Sequence, residues 1–309
     1  MKTLVLSVLL AIATTAFAGP PLRTAVRYVD QTMGSDGVCC DDEHDWPGCT
    51  EPEYCCDEAS CEYCGCYPPP ANDGLTPATA KYSLQAALAS VPADEIPEVN
   101  IIGSCVVGDD IIELPPGGAT FRGIDGGSLF TANFNERMAT WMAAAPSSTL
   151  ILEDLFFGGS LEGGGGETII RNTTINSDWG SGISGDVTIE SSLISWGFYW
   201  TPVLANGDRK GRLVVRDSGF FSDYGQSSLN VSTAGSPDGD SSHVVVRIER
   251  SSFGTYPGCC VNNAVAAALG EDSMTLLLFD NTFYPTAYGP GLRIYGDVKL
   301  GGTQRVDGP

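Results

Sequence analysis

Histidine and positive charge are what this sequence has least of. Two His and 16 Lys or Arg stand against 38 Asp or Glu in 309 residues, a formal net charge of −22. A chain without a basic surface has nothing with which to neutralise phosphates, which excludes a nucleic-acid partner. The same deficit excludes adhesion to anionic lipid through a polybasic patch. With only His44 and His243 present, a histidine nucleophile or a zinc centre has almost no material. Beyond the N-terminus there is no long, charge-free apolar run, so no segment reads as a membrane span. Lysine is sparse while glycine numbers 38, a balance that disfavours a helical bundle and points to turn-rich β architecture. A hydrophobic content of 42% is enough for a large core and excludes a disordered chain.

Residues 1–18 carry Lys2, an apolar stretch from Leu4 to Ile12 and Ala16-Phe17-Ala18. These are the three parts of a secretory signal peptide, with cleavage expected before Gly19 and a secreted, extracellular product. Loss of Lys2 leaves 15 basic against 38 acidic residues, a net of −23. Eight of the 11 cysteines then crowd into residues 38–71: Cys39, Cys40, Cys49, Cys55, Cys56, Cys61, Cys64 and Cys66. In an oxidising destination they read as a disulfide framework, the other reading being zinc held by Cys61-x-x-Cys64-x-Cys66. Adjacent Cα atoms lie about 3.8 Å apart, too close for the usual disulfide, so Cys39 and Cys40 bond elsewhere, as do Cys55 and Cys56. This acidic insert, closed by Pro68-Pro69-Pro70, is too small to build its own core. No resident cofactor or metal is expected, apart from weak Ca²⁺ binding by its carboxylates, which form no regular ligand loop.

Downstream, Leu84, Ala87, Leu88 and Val91 sit at helical spacing, predicting a short helix over 82–91. From Val99 the pattern turns to strands and repeats. Each copy is a β-branched run, a polar or charged residue, a small polar turn and an apolar residue. The turn positions are Asp154, Asn172, Ser191, Asp217, Arg250 and Asp280, separated by 18, 19, 26, 33 and 30 residues. A parallel β-helix tolerates that drift, whereas a propeller blade or leucine-rich repeat holds a steadier period. Eight or nine coils over 97–303 are expected. Cys105, in the first coil, then lies perhaps six coils from Cys259 and Cys260, about 29 Å at roughly 4.8 Å per coil, beyond disulfide reach.

The segments Tyr28-Val29-Asp30, Gly34-Ser35-Asp36-Gly37, Asn72-Asp73-Gly74-Leu75-Thr76-Pro77 and Ser83-Leu84-Gln85-Ala86-Ala87-Leu88 resemble the opening motif of secreted right-handed parallel β-helix proteins of the pectate-lyase-like superfamily. Here the Cys-rich insert splits that motif between Gly37 and Asn72. The resemblance implies an all-β, right-handed parallel β-helix started by a capping helix. It divides the chain into a signal peptide (1–18), an N-terminal segment (19–37), the insert (38–71) and the helix-capped solenoid (72–309). It does not imply one chemistry, because members range from polysaccharide lyases to non-catalytic surface proteins.

The W-x-D-H and R-x-P-x-x-R elements of the superfamily's pectate lyases are missing, as are the G-H-G element and Asp cluster of its polygalacturonases. The catalytic residues are therefore unassigned. Trp196, Phe198 and Trp200, if extended, share one face close to Arg209, Lys210 and Arg212. Two readings stand: a sugar-stacking platform beside cations, or aromatics plugging the coil interior with the basic residues capping acidic turns. The six are carried forward as ligand-binding candidates. Loops near 196–211, 225–242 and 254–272 are expected to stack as a binding wall. Of two glycosylation sequons, Asn230, in a long loop, is expected to be the better acceptor in a eukaryotic host, and Asn172 is expected at a turn whose side chains stack inward. The favoured role is binding to an extracellular or cell-surface matrix glycan. The alternatives are a lyase or glycoside hydrolase with an unfamiliar catalytic set, and a scaffold presenting the Cys-rich module.

Overall fold

The computed structural model describes residues 23–31, 72–107, 112–131, 142–143, 148–159, 161–176, 181–205, 208–222, 227–232, 240–255, 265–268, 274–284, 292–294, 298–299 and 304–306. The fold is a parallel β-helix. Its first sheet begins with Arg23–Val29 and rises through nine further strands, from Glu95–Val107 to Val298–Lys299, each parallel to the one below. A second sheet stacks Phe156–Gly158, Thr174–Asn176, Leu193–Ser195, Gly219–Ser222, Ser252–Thr255, Asn281–Phe283 and Gln304–Val306. Its lower rungs are the distal ends of Glu95–Val107 and Gly118–Thr131. A third sheet contains Phe198–Thr201, Leu229–Ser232, Val265–Ala268 and Leu292–Ile294.

The turn between the first and second sheets repeats with one geometry. Asp154, Asn172, Ser191, Asp217, Arg250 and Asp280 all have left-handed backbone, with φ between 46° and 53°. Asp and Asn tolerate this region better than other side chains, which explains their recurrence. The side chain at this position points out: Asn172 is exposed, contrary to the inward stacking expected from sequence. The following residue turns inward instead, and Thr173, Ser192, Ser218, Ser251 and Asn281 form a buried polar ladder. The hydroxyl of Ser218 donates to the Arg216 carbonyl (2.6 Å) and accepts from the Ser192 amide (3.2 Å). Ser192, Ser251 and Thr173 donate in the same way to Glu190, Glu249 and Arg171. Each rung thus satisfies an amide of the rung below, so polar turns are buried without orphaned donors.

Just before this turn, Arg122, Glu153, Arg171, Glu190, Arg216 and Glu249 occupy facing positions in successive rungs of the first sheet and alternate in sign. Arg122 lies 2.7 Å from Glu153, and Arg216 lies 2.8 Å from Glu190 and 3.5 Å from Glu249. The hydrogen bonds it donates to Glu153 hold the Arg122 guanidinium above its ordinary value. Such half-exposed pairs are each worth under about 1 kcal/mol. Inside, Val99, Phe121, Leu152, Ile170, Ile189, Val215, Ile248 and Leu278 form one apolar column, while Phe220, Phe253 and Phe283 stack at 5.2 Å centroid spacing in another.

The two halves of the split opening motif meet at the base. Tyr28 donates to the Gly74 carbonyl (2.8 Å), Lys81 to Tyr28 (2.8 Å) and Asp30 to Lys81 (2.9 Å). The Asp73 carboxylate accepts from Thr79 Oγ1 (2.6 Å) and the Leu75 amide (2.9 Å). Gly74 is left-handed (φ 73°), and a Cβ there would meet Lys81 Cγ at 3.1 Å, so glycine is required. The capping helix runs Leu84–Ala89, two residues shorter at each end than its periodicity predicts, with Ser83 accepting from the Ala86 amide. The expected signal peptide (1–18) and all eight cysteines of residues 38–71 lie outside the described residues. Cys105 is fully buried, at the foot of the column that passes through Leu129, Phe157, Ile175, Ile194 and Phe220 to Phe253. Six rung steps separate its ends, the separation expected from the repeat; Cys259 and Cys260 lie outside the described residues. Among those residues, no helix is long and apolar enough to cross a membrane.

Candidate functional site

The aromatics singled out from sequence do not form a surface. Phe198 and Trp200 do share a face, but it is the interior: both are 0% exposed, and Trp200 Nε1 donates to the Gly185 carbonyl at 3.0 Å. Trp196 is not in their strand. It has φ 72° and with Gly197 (φ 97°) makes the corner between the second and third sheets. The basic residues lie on the other side of the wall. Gly211 backs directly onto Trp200, where a Cβ would sit 2.9 Å from the indole ring, while Lys210 and Arg212 flank it and face solvent. Alternation along the strand drives this separation, since Gly211 points in and both neighbours point out. The Arg212 amide donates to Asp186, and Arg209 lies opposite Leu204 in an antiparallel pair. The stretch expected as the loop 196–211 therefore holds the strands Phe198–Thr201 and Val203–Ala205 and the start of Asp208–Arg216. In sequence, the last two of these strands are separated by Asn206-Gly207, a two-residue hairpin signature.

Asn230 likewise is not in a loop. It lies in the strand Leu229–Ser232, half-buried beside Tyr199, with its Oδ1 buried and without a hydrogen-bond partner. Burial pushes the Tyr199 phenol above its ordinary value. The stretch expected as the loop 225–242 likewise holds the strand Leu229–Ser232 and the start of Asp240–Glu249, and that expected near 254–272 holds Val265–Ala268; most of the rest of both lies outside the described residues.

The aromatic surface is elsewhere, on the outer face of the second sheet. Two outward columns run up this face. One passes through Phe156, Thr174, Leu193, Gly219, Ser252 and Thr282. The other carries Val106, Phe130, Gly158, Asn176, Ser195, Phe221 and Gly254, with Tyr284 above it. Val106, Leu193 and Tyr284 are exposed (47%, 37% and 45%), and Phe130, Phe156 and Phe221 are half-buried. Their side chains lie down over small neighbours. A Cβ on Gly254 would touch the Tyr284 ring at 3.1 Å, and one on Gly219 would meet Phe221 at 3.1 Å and Leu193 at 3.2 Å. Phe130 and Phe156 rest together at the lower end, 5.4 Å between centroids. An aromatic laid over glycine keeps one side on the sheet and turns the other to solvent.

Polar residues lie along the same face. Thr174 and Asn176 separate the lower apolar group from the upper one. The left-handed turns border one long side with Asp125, Asp154, Asp217 and Asp280, all exposed. Arg250, the cation of that row, is held by Asp217 through two 2.7 Å bonds, and the guanidinium holds the Asp217 carboxyl below its ordinary value. Carboxylates face one another in register at Glu167 and Asp186, exposed on the outer face of the first sheet and away from the aromatics, and Asp208 and Asp240 are also register partners in that sheet. Among the described residues no three His, Cys, Asp or Glu converge on a metal-sized site. No family model, curated protein or solved structure matches the chain.

Proposed function

We propose that this is a secreted parallel β-helix protein that binds a glycan of an extracellular or cell-surface matrix, through the outer face of its second sheet. The observation that carries the reading is the apolar row on this face: Leu193, Phe221 and Tyr284 pack over Gly219 and Gly254, Leu193 and Tyr284 are exposed, and the half-buried pair Phe130 and Phe156 continues the row below. Sugar rings have apolar faces that stack on such rings, and their hydroxyls find partners in side chains like Thr174 and Asn176. Secretion is supported by the signal-like N-terminus. The kinship with pectate-lyase-like proteins is supported by the way the two halves of the opening motif knit together at Tyr28, Gly74 and Lys81. Probing a glycan array with the secreted protein tests the reading. A hit lost in Tyr284→Ala, but kept in Lys210→Ala on the first sheet, is the expected outcome. Binding that survives Tyr284→Ala and Phe221→Ala in folded protein refutes it. Incubating any hit and looking for shortened products separates binding from cleavage.

A further inference from the structure

The turn ridge beside the strip carries information about which glycan it takes. Asp125, Asp154, Asp217 and Asp280 point outward from backbone held at φ 50–53°, so the fold itself fixes these carboxylates along one edge of the aromatic face. Among the described side chains, the cations of that edge are engaged with carboxylates. Arg250 is forked onto Asp217, while Arg122, Arg171 and Arg216 are tied to Glu153, Glu190 and Glu249 in the adjoining ladder. A guanidinium would have to leave a carboxylate to grip a uronate or sulfate, and the overall charge of −22 opposes any polyanion at a distance. Between the apolar groups, the half-buried side chains are the neutral Thr174 and Asn176. Phe221 and Tyr284 sit two rungs apart, roughly 10 Å along the axis, and Phe156 and Leu193 are separated by the same interval.

We infer that the occupant is an uncharged, extended polysaccharide lying along the solenoid axis, stacked on Phe156 and Leu193 below and on Phe221 and Tyr284 above. This inference rests on the glycan-binding reading and narrows it to one ligand class. The acidic ridge and the net charge disfavour uronate and sulfate polymers, and the length of the strip selects a chain of several sugars over a single residue.

Affinity electrophoresis of the full secreted chain tests it, with gels containing hydroxyethylcellulose as the neutral probe and polygalacturonate as the anionic one. Expected is retardation by the neutral polymer, unchanged between low and moderate salt. Phe221→Ala or Tyr284→Ala should weaken it roughly two- to tenfold, and their combination more. Phe221→Thr serves if alanine loosens the strand, with thermal melting as the check on folding. Retardation by polygalacturonate exceeding that by the neutral polymer, and sensitive to the same substitutions, overturns the neutral assignment while leaving the strip as the glycan site. Retardation unaffected by the substitutions, or none by either polymer in folded protein, overturns the strip reading itself. A short neutral oligosaccharide that competes as well as a long one overturns the extended-chain part.

Discussion

Removing one hydroxyl from the buried turn ladder tests the assembly logic of the solenoid. In Ser218→Ala two hydrogen bonds disappear, to the Arg216 carbonyl and from the Ser192 amide. The carbonyl still accepts from the Ser191 amide at 3.1 Å, and the Ser218 amide keeps the Ser251 hydroxyl at 3.2 Å. One group is therefore orphaned: the amide of Ser192, a residue only 6% exposed. An unsatisfied buried donor costs about 1–3 kcal/mol, which at about 2–4 °C per kcal/mol for a large domain lowers the melting temperature by about 2–12 °C. Urea titration at unchanged slope measures the loss, and hydrogen exchange localises it, because the Ser192 amide should lose protection while more distant rungs keep theirs. Ser218→Thr is the control. Thr173 fills the same position two rungs below, so the hydroxyl is retained and stability should change little. If Ser218→Ala stays within about 0.5 kcal/mol of the parent and Ser192 remains protected, the ladder is not what holds the rungs together.

Glu190→Arg would stack three guanidiniums at positions 171, 190 and 216 in successive rungs. A loss of about 1–2 kcal/mol that shrinks in high salt is expected from urea midpoints, and a salt-independent change would contradict the alternation argument. At the base, Thr79 and the Leu75 amide hold the Asp73 carboxyl below its ordinary value. A depressed folded pKa means the contribution is present above the usual carboxylate range and is lost as pH falls through the folded value. Asp73→Asn should therefore flatten the acid limb of the stability–pH curve below about pH 4, and parallel curves would refute this. In a secretory route that attaches N-glycans, peptide mapping should find Asn172 modified in preference to Asn230, because Asn172 is exposed on its turn and Asn230 is held in a strand. The reverse occupancy would count against that placement.

The solenoid was legible because its strongest constraints are local. A left-handed residue followed by an inward small polar one favours Asp, Asn or Ser and then Ser, Thr or Asn; four of the six copies carry that pair outright, while Asp154-Leu155 and Arg250-Ser251 each depart from it at one position. Even the sign alternation of Glu153, Arg171, Glu190, Arg216 and Glu249 lies within the repeat copies, although its regularity shows only once the rungs are in register. The aromatic site was not legible, for two reasons. Alternation determines that Phe198 and Trp200 share a face, but not whether that face is lumen or surface. The residues that do make the surface come from separate coils, at 156, 193, 221 and 284, so no window of sequence brings them together. Trp196 misled for a local reason, since Gly197 permits the corner that takes it out of the strand.

The outer strip also has a purely structural reading: aromatics laid over glycines shield the sheet and stabilise it. The interior offers a comparison. Phe220, Phe253 and Phe283 occupy the same position in successive rungs and stack on one another, which is what packing alone favours. On the outside, Phe221 and Tyr284 are separated along their column by Gly254, and Leu193 is followed by Gly219. At Gly219 and Gly254 the neighbouring side chains pack over glycine backbone, which leaves apolar surface on the outer face of the sheet. Replacing Gly219 and Phe221 together by Thr separates the two readings. Without the Phe221 ring, a side chain at 219 has Leu193 and Ser252 as its near neighbours, and a β-branched pair suits an outward column. The double variant should regain most of the stability lost in Phe221→Ala while remaining unable to bind the polysaccharide. If binding returns along with stability, the rings serve the sheet, and the ligand is held elsewhere.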